Sequence, residues 1–236
     1  MTLNDKRVLV LGGSSGIGFG IAKAVRAAGG KVTIASRSAE RINQAVARLG
    51  GSAHAYVLDT HDNEAIEKFF AEHEPFDHIF VSAASTTAAP VISLPLDAAY
   101  ESFESKFWGA YRVARAARVA EGGSITLVSG YLSIRPRAGA AIQGAINAAL
   151  EGLTKGLALE LSPIRVNCIS PGLVETEMLD GKRDDSRQAM FDGAAERLPV
   201  KMVGKPEYIA LQVLAMMQNP YMTGSVVYLE GGGALI

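Results

Sequence analysis

Short apolar runs alternate with longer amphipathic segments along this 236-residue chain, and this alternation constrains the fold more than any other feature. The apolar runs are nearly continuous, which is typical of strands buried on both faces of a parallel sheet. The predicted strands are Arg7–Leu11, Lys31–Ala35, Ala53–Leu58, Asp77–Ser82, Ser124–Ser129, Ile164–Ile169 and Ser225–Leu229. The sequence therefore predicts an α/β fold with a parallel sheet covered by helices on both faces.

The segments between these strands have helical patterns, and no repeat or interdomain linker interrupts them. We therefore predict a single domain over residues 1–236. The predicted helices are Ile17–Ala28, Ala39–Leu49, a helix ending at Phe70, Leu96–Ala120, Gly139–Leu161 and Pro206–Met217. The stretch from Glu175 to about Val200 is charged and contains two glycines. Its length and polarity predict an irregular, mobile flap over a site.

Composition excludes several classes of function. With 48% hydrophobic residues, the chain can form a core without disulfides or metals, and we assign no metal site. A net charge of −1 provides no attraction for nucleic acid or an anionic membrane. No apolar run approaches the roughly 20 residues of a membrane span, and the N-terminus has no signal-peptide core. The lone cysteine, Cys168, suits a reducing cytoplasm, and we expect it to be buried.

A glycine-rich turn, Leu11-Gly-Gly-Ser-Ser-Gly-Ile-Gly18, follows the first predicted strand and precedes the first predicted helix. Glycines allow the backbone to approach a pyrophosphate, which the partial positive charge of a helix N-terminus attracts. The predicted cofactor contacts from this turn are Gly12, Ser14, Ser15, Gly16, Ile17 and Gly18.

The end of the second predicted strand indicates which dinucleotide binds. An acidic residue there would bind the free ribose hydroxyl of NAD, but this chain has Ser36 and Arg37. A guanidinium matches a 2′-phosphate with charge-assisted hydrogen bonds, so the pair favours NADP. The alternative is that Arg37 is only a solvated surface cation.

The spacing of Gly12, Gly16 and Gly18, followed by the segments Pro171–Thr176 and Thr223–Gly232, resembles the short-chain dehydrogenase/reductase (SDR) family over essentially the whole chain. The resemblance implies a Rossmann-type, doubly wound parallel sheet. It also implies an adenine contact from Asp59 and small residues beside the adenine ribose. The further residues that it places against the cofactor are Ser82, Ala83, Pro171, Gly172, Val174 and Thr176.

The catalytic set of that family is asparagine, serine, tyrosine and lysine. The resemblance puts Lys106 at the asparagine position and Ser129 at the serine position. Ile142 and Ile146 then stand at the tyrosine and lysine positions, 13 and 17 residues after Ser129. Because four residues make about one helical turn, we expect both isoleucines to face one cleft. The chain is thus interpreted as a divergent member lacking the catalytic Tyr and Lys.

Reduction of a carbonyl then needs another group that supplies a proton. An imine that is protonated in solution needs no strong acid in the site, so we expect an imine to be the more natural substrate. Tyr131 lies near Ser129 on the loop that would border the pocket, and Lys106 could project toward the cleft floor. Arg135 and Arg137 on the same loop could hold an anionic substrate. For each group a purely structural role stays open: Tyr131 packed under the flap, Lys106 on a helix face, and both arginines solvated.

The leading hypothesis is an NADP(H)-dependent reductase of a small carbonyl or imine compound. A non-redox isomerase, lyase or cyclase on the same scaffold is the second, and a catalytically silent NADP sensor is the third. We expect a cytoplasmic protein that forms a homodimer or homotetramer. The oligomer is expected because the predicted helix Gly139–Leu161 is rich in Ala, Leu and Gly beyond one face, so it can pack closely on two sides. Leu96–Ala120 is the second helix expected at that interface.

Overall fold

A seven-stranded, all-parallel sheet forms the centre of the computed structural model, which describes residues 2–50, 53–176 and 184–236. The strand order is β3-β2-β1-β4-β5-β6-β7, and the predicted α/β class and Rossmann-type topology are confirmed. The strands are β1 (Arg7–Leu11), β2 (Lys31–Ser36), β3 (His54–Val57), β4 (Phe76–Val81), β5 (Val119–Val128), β6 (Arg165–Pro171) and β7 (Val226–Leu229).

Helices cover both faces of the sheet. They are α1 (Gly16–Ala27), α2 (Ala39–Arg48), α3 (Asn63–Glu72), α4 (Leu96–Phe103), α5 (Gly109–Ala116), α6 (Ala141–Glu160), α7 (Asp184–Arg197) and α8 (Pro206–Gln218). Successive side chains of a strand point to opposite faces, and β1 shows this directly. Val8 and Val10 join the core under α1, α2 and α8, whereas Leu9 and Leu11 join the core under α3, α5 and α6. Burial on both faces explains why the strands are apolar throughout.

The strand order reverses at β1, which pairs with β2 on one side and with β4 on the other. The connections after β1 and β4 therefore leave the sheet in opposite directions and open a crevice at its carboxyl edge. In open α/β sheets this crevice is where ligands bind. Within the described ranges, no helix is both long and apolar enough to cross a membrane.

The predicted helix Leu96–Ala120 is wrong in its continuity and its end. A π-helical turn, Glu104–Trp108, separates α4 from α5, and β5 starts at Val119 rather than at Ser124. Val119 already pairs with Phe76, and the register between the two strands then shifts before the regular ladder. No glycine or proline separates the end of α5 from the start of β5, so the sequence pattern predicts that the first residues of β5 continue the helix.

The predicted irregular flap is also wrong over its second half, which forms α7; residues 177–183 lie outside the described residues. Gly193 was expected to interrupt a helix, yet a mid-helix glycine costs only about 1 kcal/mol relative to alanine. Phe191 and Ala194, three residues apart, are buried on one side of α7. Their burial offsets that cost.

Helix α6 carries a continuous apolar stripe toward the sheet. Ile146 and Leu150 are buried in the core under this helix, and Ile142 packs against the same core. The expectation that Ile142 and Ile146 face the cleft is therefore wrong. Each residue advances a helix by about 100°, so the neighbouring stripe, which begins at Gln143, is the one turned toward the crevice.

We predict that Ile146→Ala lowers the free energy of unfolding by about 2–5 kcal/mol, because it leaves a cavity in a packed core. Urea denaturation measures this, with Lys155→Ala on the exposed side of α6 as the matched control, expected within about 0.5 kcal/mol of the native chain. A loss below 1 kcal/mol for Ile146→Ala would contradict its placement in the core.

Candidate active site

The glycine-rich turn closes tightly on the end of β4. Gly12 has a φ of 82°, and a Cβ on it would lie 2.7 Å from the amide nitrogen of Ala83. Ser82 fixes the other side of this approach, since its hydroxyl donates to the Leu11 carbonyl at 3.0 Å. The turn and the Ser82–Ala83 segment thus form one continuous wall of the crevice.

The N-terminus of α1 opens onto the same crevice. Ser15 is its N-cap residue, but the Ser15 side chain makes no capping hydrogen bond, so it does not satisfy the first amides of the helix. Thr176 lies over this helix end, where a Cβ on Gly16 would be 3.4 Å from the threonine Cβ. This arrangement suits a pyrophosphate between α1 and the segment after β6.

The expected ribose contacts also lie at this edge. The Ser14 hydroxyl donates to the Ser36 hydroxyl at 3.1 Å, which joins the glycine-rich turn to the end of β2. Arg37 is exposed next to Ser36. Burial opposes ionisation of Asp59, but hydrogen bonds from His61 and the nearby charge of Arg37 outweigh it and lower the Asp59 pKa.

The expected nicotinamide contacts complete the site. Pro171 ends β6 and Gly172 follows it, where a Cβ would lie 2.8 Å from the Glu230 Cα. Val174 is buried and bridges to Gly204, which holds the segment before Thr176 in place. The residues predicted from four separate parts of the sequence thus lie along one edge of the sheet.

A cavity of about 210 Å³ lies at this edge, between the end of β5 and α6. Its walls contain Lys106, Ser129 and Tyr131, the three predicted catalytic residues. The full lining is Thr86, Lys106, Ser129, Gly130, Tyr131, Leu132, Gln143, Asn147, Pro171 and Gly172.

Lys106 projects into this cavity from the π-helical turn. Its Nζ donates to the Ser129 backbone carbonyl at 2.9 Å and to Asn147 Oδ1 at 2.6 Å. Burial lowers the Lys106 pKa to about 8, although Cys168 and then Glu151 act in the opposite direction. An ammonium has three N–H donors, so a third is available to a ligand in the cavity.

Gln143 and Asn147 line the cavity from α6, one turn apart, in place of the two isoleucines expected there. Gln143 Nε2 donates to Thr86 Oγ1 at 3.0 Å, which fixes the orientation of its amide. Sequence reasoning missed both residues because it counted the motif from Ser129. The signal that identifies them is the polar stripe Gln143, Asn147, Glu151, which follows helical spacing beside the apolar one.

The Ser129 hydroxyl does not point at the Lys106 ammonium. It donates instead to Glu151 Oε1 at 3.0 Å, and the residue is only 3% exposed. Of the other predicted groups, Tyr131 lines the cavity and is partly buried, whereas Arg135 and Arg137 are exposed on the following loop. The structure thus brings Lys106, Tyr131 and the Ser129 carbonyl together but leaves the two arginines in solvent.

Comparisons with known proteins show the family of the chain. The family model described as enoyl-(acyl carrier protein) reductase matches residues 12–233. The protein named Short-chain dehydrogenase/reductase ATR9, from Stachybotrys chlorohalonatus, is 31% identical, with 99% of each chain covered. The chain belongs to the short-chain dehydrogenase/reductase family. It is therefore an SDR-family oxidoreductase with a nicotinamide-dinucleotide site.

Two solved structures extend the comparison. A small-chain dehydrogenase in complex with NADPH is 39% identical, with a TM-score of 0.87 and coverage of 99% of this chain and 100% of that one. MalC Reductase/Diels-Alderase from Malbranchea aurantiaca is 26% identical, with a TM-score of 0.91 and coverage of 99% and 98%. The similarity thus extends over whole chains.

We predict that Lys106 titrates with a pKa of about 8 in the folded protein. Carbon NMR of lysine Cε measures this, with the resonance assigned by its loss in Lys106→Met. Because the pKa of the folded state lies below that of the unfolded chain, Lys106 binds fewer protons when folded between about pH 8 and 10.5. Its contribution to the unfolding free energy therefore rises with pH across that window. An ordinary lysine titration would contradict the buried placement.

Proposed function

We propose that this SDR-family oxidoreductase uses NADP(H) to reduce a small carbonyl or imine compound, with Lys106 as the proton donor. The observation that supports this proposal is the position of the Lys106 ammonium. Two acceptors hold it in the cavity, and its third N–H can donate to a substrate. Tyr131 lines the same cavity and is the alternative proton donor.

The cofactor proposal rests on the fit of the crevice. Gly12, Ser15 and Gly16 would hold the pyrophosphate, and Asp59 would contact adenine. Ser36 and Arg37 would bind a 2′-phosphate, since β2 ends without an acidic residue. When bound, the nicotinamide group supplies the hydride. The chain itself must then stabilise charge on the substrate oxygen and deliver a proton.

Lysine and asparagine both belong to the family's catalytic set, and both occur in this cavity. Their positions are exchanged relative to the family, since Lys106 stands at the asparagine position and Asn147 at the lysine position. The lysine comes from the π-helical turn and the asparagine from α6, and their side chains meet at 2.6 Å. Gln143, rather than Ile142, then occupies the tyrosine position. The serine position lies 13 residues earlier and falls on Gly130 rather than on Ser129. A Cβ on Gly130 would lie 2.8 Å from Asn147 Nδ2. We therefore propose that the cation is kept and the phenol lost.

This arrangement favours a carbonyl over a protonated imine. A positively charged substrate would meet the Lys106 ammonium and be repelled by it. A carbonyl oxygen that gains negative charge during reduction is stabilised by the same ammonium. Gln143 can accept a hydrogen bond from the substrate through Oε1, because its Nε2 is already directed at Thr86.

A non-redox cyclase is the second candidate, and the similarity to MalC Reductase/Diels-Alderase favours it. A fixed cation and a fixed amide acceptor polarise a substrate without any hydride transfer. Consumption of NADPH separates the two candidates, since a cyclase turns over substrate while NADPH stays constant. A silent sensor would bind NADPH and convert no substrate.

We also propose a cytoplasmic homodimer or homotetramer. The support for assembly is a set of exposed aromatic side chains, Tyr100, Trp108 and Tyr111, which are 70%, 45% and 39% exposed along α4, the π-helical turn and α5. The Trp108 and Tyr111 rings are in contact, with centroids 5.7 Å apart, and clustered exposed apolar groups are typical of interaction surfaces. The only cysteine, Cys168, is buried on β6, which is compatible with a reducing compartment.

We predict that Arg37→Ala weakens NADPH binding by about 1–3 kcal/mol, the cost of a lost charge-assisted contact, and leaves NADH binding nearly unchanged. Isothermal titration calorimetry measures both affinities. Arg41→Ala, an exposed arginine one turn further along, is the control and should bind NADPH like the native protein. Equal native affinities for NADH and NADPH would refute the assignment of Arg37.

We further predict that Lys106→Gln reduces turnover of a reactive carbonyl about 10²-fold or more, because general acid catalysis contributes on that order. The rate is followed by nicotinamide absorbance over a panel of aldehydes, ketones and cyclic imines. Lys155→Gln on the exposed side of α6 controls for loss of a positive charge. If Lys106→Gln retains full activity and Tyr131→Phe abolishes it, the phenol is the donor instead.

A further inference from the structure

Behind the cavity, one buried carboxylate gathers hydroxyl groups from four parts of the fold. Glu151, 8% exposed on α6, accepts hydrogen bonds at Oε1 from the hydroxyls of Ser129 (3.0 Å), Ser133 (2.6 Å) and Ser170 (3.4 Å). Its Oε2 accepts from the Tyr228 hydroxyl at 2.8 Å. Glu151 thus ties α6 to the end of β5, the turn after it, β6 and β7.

A charged group at this position is expensive unless it is compensated. Burying a carboxylate costs several kcal/mol, and the hydroxyl donors recover a part of this. Among the described residues, no lysine or arginine forms a direct ion pair with Glu151. An apolar side chain at this position of α6 would pack beside the core without the desolvation cost of a buried charge. Stability of the fold alone therefore does not explain why a carboxylate is present here.

Two routes connect Glu151 to the cavity cation. Ser129 donates its hydroxyl to Glu151 and accepts from Lys106 Nζ with its backbone carbonyl. Asn147, which also accepts from Lys106 Nζ, lies one helical turn before Glu151 on the same stripe. Along the Ser129 route, the carboxylate and the ammonium are therefore separated by one residue.

We propose that Glu151 is a positioning residue for the cavity, whose charge keeps Lys106 protonated and whose hydrogen bonds fix the Ser129–Ser133 turn. This inference rests on the proposed function for the role of Lys106 as proton donor. The same turn carries Gly130 and Tyr131, which line the cavity, so an anchored turn also fixes the cavity wall.

The other titratable groups around Lys106 are uncharged near neutral pH. Burial raises the pKa of the Cys168 thiol on β6. Burial and the hydrogen bond to Glu151 raise the pKa of the Tyr228 phenol on β7. Cys168 and Glu151 are the two groups whose negative charge would raise the Lys106 pKa, and the raised pKa of the thiol keeps Cys168 uncharged near neutral pH. Glu151 is therefore the counter-charge, and its removal leaves the burial of Lys106 uncompensated.

The test is a Cε titration of Lys106 in the free protein, without NADPH. In Glu151→Gln, which keeps the size and removes the charge, we expect the Lys106 pKa to fall by about one unit, since a nearby opposite charge is worth about that much. Tyr228→Phe removes one hydrogen bond and keeps the carboxylate, so the Lys106 pKa should stay at its native value. An unchanged pKa in Glu151→Gln, or an equal fall in Tyr228→Phe, would overturn the proposal.

Failure of the proposed function is distinguishable from failure of this inference, because it appears as absent carbonyl reduction with the Lys106 titration intact.

In the loaded enzyme, the pH profile gives a further readout. The high-pH limb of kcat should move about one unit lower in Glu151→Gln, whereas Ser133→Ala should leave the limb where it is and change KM through the loosened turn. A purely structural role would lower kcat at all pH values without moving the limb, and that result would overturn the proposal.

Discussion

The pairing of β1 with β2 on one side and with β4 on the other is the constraint on which the rest of this structure depends. It makes the strand order reverse at β1, so the crevice opens at the end of that strand. The backbone can close there because glycines occupy the turn, and Gly12 approaches Ala83 more closely than any side chain would permit. The carboxyl ends of the neighbouring strands then bring Ser36, Ser82 and Pro171 to the same edge.

The cavity adds a second constraint, which is the division of α6 into two stripes. One stripe, through Ile146 and Leu150, fills the core, and the adjacent stripe, through Gln143 and Asn147, forms the cavity wall. A shift of one residue would bury the amides and expose the isoleucines to the cofactor edge. Core packing therefore decides which side chains are available for chemistry.

The strands, the glycine-rich turn and the crevice could be predicted from the sequence because each depends on local patterns. Apolar runs mark β1 and β4, and glycine spacing marks the turn. The stripe of α6 could not be fixed in the same way, since apolar residues such as Ala148 and Leu159 also occur off the core side and blur the helical period. The meeting of Lys106 with Asn147 joins residues 41 positions apart, and no spacing rule within one helix reports it. Helix α7 could not be predicted for a different reason, because Gly193 is a local signal against a helix, whereas the burial of Phe191 that stabilises it depends on the tertiary fold.

The anchored amide of Gln143 has a stereochemical consequence. Thr86 holds its nitrogen, so the oxygen presents one fixed acceptor across the cavity from the fixed ammonium of Lys106. A ketone whose oxygen accepts from Lys106 and whose own hydroxyl or amide group donates to Gln143 is held at two points, and the edge of the sheet fixes the side from which the hydride arrives. One prochiral face is then presented to the reductant, so the alcohol forms as a single enantiomer.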